Sequence, residues 1–101
     1  MHNYIVNAAI QLIPIVQDRH PYDWVDEAIE IIRQSGIKNE TGAFATVVEG
    51  TYAEVMAVVH QINEHLLQRG CTEWITNVQL QIRSTCNITG DEKTSKFLRG
   101  V

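Results

Sequence analysis

The chain has 101 residues, 45% of them hydrophobic and 20% charged, with a formal net charge of -4. That length suits one domain around one core, residues 1–101, and the supply of Ile, Val and aromatic side chains excludes a disordered chain. The acidic balance excludes nucleic acid as the expected partner, because neutralising phosphate takes clustered Lys and Arg, and it favours a neutral or cationic ligand.

The first apolar run, from Ile5 to Ile15, is interrupted by Asn7, Gln11 and Pro14. It is too short to span a bilayer and has no basic leader before it. Neither a membrane segment nor a signal peptide is expected, and a cytoplasmic location is. Residues 3–15 instead alternate as a strand. Tyr4, Val6, Ala8, Ile10 and Leu12 form a core face, and Ile5, Asn7, Ala9, Gln11 and Ile13 form a mixed one. Residues 22–34 read as a helix on the stripe Val25, Ala28, Ile29 and Ile32, with Pro21 and Asp23 suited to its first turn and Gly36 placed to stop it. Residues 37–41 and 43–49 read as two short strands around a turn at Gly42. Thr51 opens a second helix with the capping-box spacing Thr51-x-x-Glu54, a stripe of Val55, Val58, Val59, Ile62 and Leu66, and an end at Arg69 and Gly70. Residues 73–83 form the last long strand. Trp74, Thr76, Val78, Leu80 and Ile82 point one way, and Ile75, Asn77, Gln79, Gln81 and Arg83 the other. A second capping-box spacing, Thr89-x-x-Glu92, followed by Lys93, Phe97 and Leu98, predicts a short terminal helix.

The order β-α-β-β-α-β, with two right-handed crossovers joined by a hairpin, predicts an α+β ferredoxin-like sandwich. Both main helices lie on one face of a four-stranded antiparallel sheet, and the third strand lies beside the first. The opposite face carries Asn7, Ala9, Gln11, Asn77, Gln79 and Gln81 with Ile5, Ile13 and Ile75. A solvated face usually carries Lys and Glu. This amide-rich, partly apolar face resembles the inside of an interface and predicts a homo-oligomer, a dimer or tetramer, through sheet faces or edges. A plainly solvated face is the alternative.

Catalytic and metal motifs are absent from the sequence. His60 and His65 are five positions apart, ~500° around a helix, which does not place them on one face for zinc. His2 and His20 lie elsewhere, and Cys71 and Cys86 form no CxxC, so no metal is expected and both thiols are read as reduced. No GxSxG, P-loop or GxGxxG occurs and no base and nucleophile pair is visible, so no catalytic residue is assigned. The loop from Val16 to Pro21 has no glycine to cradle phosphate, which excludes acylphosphatase chemistry. With Phe44 as the only aromatic of the third strand, base stacking on the sheet is excluded as well. What remains is a set of polar residues beyond the needs of a core. Glu49 ends the third strand and is either a ligand carboxylate or a helix-capping charge. Thr46 and Glu40 lie nearby in the hairpin, with Gln11 and Asn7 on the neighbouring strand if the faces agree.

These residues resemble the family of small thiamine-binding proteins. The resemblance runs through Ala9-Ile10-Gln11-Leu12-Ile13-Pro14, Ala28-Ile29-Glu30-Ile31-Ile32, Ser35-Gly36-Ile37-Lys38, Thr46-Val47-Val48-Glu49-Gly50, Glu54-Val55-Met56 and Glu92-Lys93-Thr94-Ser95-Lys96, nearly the whole chain. It implies a ferredoxin-like fold, self-association, no catalysis and no resident cofactor, and it implies binding of thiamine or its hydroxymethylpyrimidine part as a carrier, buffer or sensor. Gln11, Glu40, Thr46, Glu49 and Asn7 are then the expected ligand contacts. The sequence departs from the family at Asn39, where an aromatic is common, and at Ala45, where a small polar residue or glycine is. Trp24, Tyr22 and Phe44 are the aromatics available to compensate. The competing reading is an oligomeric regulatory or interaction module that binds another small ligand, such as an amino acid.

Overall fold

β1 (Ile5–Pro14) is the longest strand and lies inside the sheet. The structure, a computed structural model, describes the backbone of residues 1–98 and the side chains of residues 1–94. The side chains of Phe97 and Leu98, and residues 99–101, lie outside that description. After β1 come α1 (Pro21–Gln34), β2 (Lys38–Thr41), β3 (Thr46–Thr51), α2 (Tyr52–Gln68), β4 (Trp74–Gln81) and α3 (Gly90–Leu98). The sheet order is β2-β3-β1-β4, antiparallel throughout, so the ferredoxin-like reading holds and β3 does lie beside β1.

The core forms where the strand alternation meets the helical stripes. Val6, Ala8, Ile10 and Leu12 of β1 and Val48 of β3 are buried against Ala28 and Ile32 of α1 and Val55, Val58, Val59, Ile62 and Leu66 of α2. Trp24 is also buried there, which the α1 stripe did not include. The helices stop where Gly36 and Gly70 adopt φ values of 82° and 87°, conformations that side chains disfavour. His20 caps α1 by accepting from the Tyr22 amide. Thr51 and Glu54 form the expected reciprocal capping box on α2, worth about 1 kcal/mol.

The hairpin differs from its expected form. One glycine cannot reverse the chain, and residues 42–45 form a four-residue turn closed by the Gly42 N–H donating to the Ala45 carbonyl at 2.9 Å. Phe44 therefore sits at the tip of the turn and not in a strand, and β3 begins at Thr46.

An ion cluster ties the two helices together on their outer side. The Glu27 carboxylate of α1 meets His65 of α2 at 2.6 Å, Arg69 of α2 at 3.2 Å, and Arg19 of the preceding loop. The Arg19 guanidinium also covers the Trp24 ring, 4.4 Å from its centre. Burial pushes the Glu27 carboxyl upward, but the hydrogen bonds from His65, Arg19 and Arg69 and the Arg19 charge outweigh it and hold the group below the usual carboxylate range.

α3 lies on the open face of the sheet, over one end of it. Thr89 and Glu92 form the second capping box. The Asn7 side-chain amide donates to the Ile88 carbonyl at 2.7 Å, and the Glu49 carboxylate accepts from the Gly90 N–H at the positive end of α3. Lys38 pairs with Asp91 at 3.2 Å, Arg83 with Glu92 at 3.2 Å, and Lys93 donates to Gln81 at 2.7 Å. A Cβ on Gly90 would lie 2.8 Å from Glu49 Oε1, so a side chain there would make the carboxylate shift.

Two measurements test these contacts. Glu27→Gln should destabilise the fold by about 1–2 kcal/mol near neutral pH. Because the folded carboxyl is depressed, its contribution is present above the unfolded pKa and lost as pH falls through the folded one, so the E27Q and wild-type unfolding curves should converge in acid. Curves that stay separated by the same amount down to strong acid would contradict the linkage. Gly90→Ala should push Glu49 off its amide and raise hydrogen exchange at residues 88–94 by about tenfold, equivalent to ~1.4 kcal/mol of local stability. Unchanged exchange there would show that the Glu49 contact does not hold α3.

Candidate ligand-binding site

Cross-strand neighbours share a face of the sheet, and successive residues alternate between faces. One row on the open face is therefore Lys38, Glu49, Asn7 and Gln81, the next is Glu40, Val47, Ala9 and Gln79, and Gln11 pairs with Asn77 in a third. The row Thr41, Thr46, Ile10 and Val78 faces the helices. Thr46 and Glu49 are an odd number of positions apart on one strand, so their side chains leave opposite faces. The expectation that Gln11, Glu40, Thr46, Glu49 and Asn7 gather in one region is corrected by this parity. Four of them share the open face, and Thr46 stands behind the sheet.

On the open face, Asn7 and Glu49 are committed to seating α3. Asn7 is only 4% exposed, and its Oδ1, beneath Gly90, has no donor among the described residues. Lys38 lies 3.7 Å from Glu49. Its ammonium is held above the usual lysine range by the Asp91 hydrogen bond and by the Glu49 and Asp91 charges. Gln11 accepts from Asn77 Nδ2 at 3.2 Å. Glu40 is exposed and has neither hydrogen bond nor ion pair among the described residues. Two shallow troughs flank α3. One of about 390 Å³ is floored by Ala9 and Val47 and edged by Gln79, Gln81 and Lys93. The other, of about 200 Å³, lies among Lys38, Glu40, Val47, Glu49, Asp91 and Thr94.

On the helix side, a narrower slot of about 80 Å³ opens between α1 and the hairpin turn. Ile10 and Leu12 of β1 and Val25, Ala28, Ile29 and Ile32 of α1 give it apolar walls. Thr41 and Thr46 supply hydroxyls, and residues 42–45 form its outer wall. Gln11 borders it too, although its side chain is engaged on the opposite face. The hydroxyls of Thr41 and Thr46, like those of Thr72 and Thr85, have no hydrogen-bond partner among the described residues, whereas those of Thr51, Thr76, Thr89 and Thr94 do. Thr46 as a residue is 4% exposed, and its side chain borders the slot. An apolar cavity of about 150 Å³ takes up benzene, so the slot must widen to admit a whole ring. The tip of the turn beside it is exposed, and one backbone hydrogen bond closes that turn.

Of the polar residues that line the slot, Thr41 is the one that the sequence reading did not single out. Counting parity back from Thr46 across the turn would have found Thr41. Of the aromatics available to compensate for Asn39, Trp24 is buried beneath Arg19 and Tyr22 stands exposed beside His20. Phe44 alone lines the slot. Asn39 itself donates to the Ile37 carbonyl at 2.9 Å. Among the described residues, no group of three or more His, Cys, Asp or Glu could hold a metal ion, and no helix is long and apolar enough to cross a membrane.

Known proteins of this build are similar along most of their length. A UPF0045 protein of Clostridium perfringens is 31% identical over 91 residues, covering 90% of this chain and 95% of its own. A UPF0045 protein of Eremothecium gossypii is 30% identical over 71 residues, covering 70% of this chain and 68% of its own. A Bacillus cereus structure described as a domain of unknown function, DUF77, superposes with a TM-score of 0.88 at 30% identity, over 94% of this chain and 91% of the other. A Thermotoga maritima structure described as a candidate thiamine biosynthesis/salvage protein superposes with a TM-score of 0.83 at 31% identity, over 92% and 98%. The family model of the thiamine-binding proteins matches residues 8–98, and the chain belongs to that family.

Proposed function

We propose that this protein binds thiamine or its hydroxymethylpyrimidine part in the slot between α1 and the hairpin, without altering it, as a cytoplasmic carrier, buffer or sensor. The observation that carries this reading is the cross-strand pair of hydroxyl residues, Thr41 and Thr46, set side by side at a slot whose other walls are mostly apolar. An aminopyrimidine has apolar faces and an edge that alternates ring-nitrogen acceptors with an amine donor. A hydroxyl both donates and accepts, so two of them suit that edge, while the walls cover the ring faces. Membership of the thiamine-binding family supports the ligand class. Two free cysteines, one buried and one exposed, suit a reducing compartment.

Titration calorimetry with thiamine and hydroxymethylpyrimidine tests the reading. Thr46→Val keeps the shape and removes the hydroxyl, and it should weaken both ligands about tenfold, the equivalent of one hydrogen bond. Neither heat nor thermal stabilisation from millimolar ligand would sink the proposal, since a ligand at ~100 times its dissociation constant adds ~2.7 kcal/mol. If Glu40→Gln abolishes binding and Thr46→Val does not, the ligand lies on the open face instead.

Self-association is part of the same proposal. α3 covers only one end of the open face, and at the other end the cross-strand pair Ile13 and Ile75 is 38% and 45% exposed. A second sheet would bury this pair together with Gln11 and Asn77. Light scattering after size exclusion should show a dimer or tetramer that Ile75→Asp shifts toward monomer, and a monomeric wild type at tens of micromolar would refute it.

A further inference from the structure

We infer that Phe44 selects a cationic ligand ring at the mouth of the slot through a cation–π contact, an inference that rests on the slot being the pyrimidine site. Among the described residues, no ionised side chain lines the slot. Glu40 and Glu49 leave the opposite face of the sheet, so a positive ring held at the mouth finds no carboxylate among the lining residues. Phe44 is 85% exposed, more than any other large hydrophobic side chain among the described residues. It stands on a turn whose other members are Gly42, Ala43 and Ala45, so no second bulky group of that turn shares the mouth.

Such exposure contributes little to the core, yet it leaves most of the ring open. The negative face of an aromatic ring attracts a cation, most strongly once water is excluded from between them. The chain already makes this contact internally, between Arg19 and Trp24 at 4.4 Å. A ligand built of a neutral ring joined through one carbon to a cationic ring fits both parts of the site. The neutral ring lies between apolar walls, and the short bridge turns the charged ring back onto Phe44.

The test titrates the wild type, Phe44→Leu and Phe44→Trp with thiamine, with hydroxymethylpyrimidine and with the neutral thiophene isostere of thiamine. The wild type should prefer thiamine to its isostere by about 5- to 10-fold, in the range of a partly desolvated cation–π contact. F44L should abolish that preference while changing hydroxymethylpyrimidine affinity less than about twofold, and F44W should keep or increase it, since Trp is the stronger partner. A wild type that binds thiamine and isostere equally overturns the inference, as does an F44L variant that retains the preference. Either result leaves the slot reading standing if hydroxymethylpyrimidine still binds and Thr46→Val still weakens it. A wild type that binds none of the three overturns the slot reading and this inference with it.

Discussion

The register of β3 against β1 is the constraint on which both faces of the molecule depend. Val6 pairs with Gly50, Asn7 with Glu49 and Ala8 with Val48, so a slip by one residue would exchange every inward side chain for an outward one. Val6 and Val48 are fully buried, and exposing each would cost about 1.5–3 kcal/mol. The same slip would turn Glu49 into the core, where an unpaired charge costs several kcal/mol more. Local devices hold the register at both ends. The capping box turns the chain into α2 at Thr51, opposite Ile5, and the four-residue turn closes the other end beside Thr46. From that register follow the placement of Thr46 in the slot and of Asn7 and Glu49 under α3.

Much of this fold is legible in the sequence because its signals are local. The stripe from Val55 to Leu66, the two capping boxes and the alternation of β1 and β4 are each complete within a short window, and each appears where its pattern lies. The hairpin is less legible. Gly42 attracts a turn assignment, but among the described residues the left-handed glycines are Gly36 and Gly70, and the reversal needs all of residues 42–45. Trp24 shares a helix face with Ala28 and Ile32 at spacings of four, and Arg19 from the loop before the helix also covers its ring. The candidate residues were legible as a set and illegible as a geometry. Proximity along the chain brought Thr46 and Glu49 together, and the pleat separates them.

Glu49 shows how a local rule can name the right chemistry at the wrong place. A carboxylate just before a helix suggests a charge set against that helix's positive end. α2, however, is capped by Thr51 and Glu54, and it packs on the face of the sheet that Glu49 does not point toward. The amide that Glu49 accepts from belongs to Gly90, 41 residues later in the chain. No short-range pattern contains that pairing. Two signs of it lie far apart in the sequence, a glycine at the first position of α3 and an amide side chain, Asn7, beside Glu49. Both become intelligible once α3 is seen to begin over that row of the sheet.

The separation of charge from slot also bears on what kind of protein this is. Proton transfer needs a titratable group within reach of the reacting atom, and the slot lining offers hydroxyls, backbone and hydrocarbon. Such a lining offers hydroxyls to a ring edge, and among the described residues no titratable side chain lines it. Nor does the overall charge of -4 discriminate strongly between ligands once they have arrived. At physiological ionic strength a field decays over ~8 Å, so the acids beyond the sheet add to the approach of a cation more than to its final hold. Discrimination has to come from groups in contact with the ligand. In the proposed site those would be the hydroxyls of Thr41 and Thr46 and the exposed ring of Phe44 on the turn.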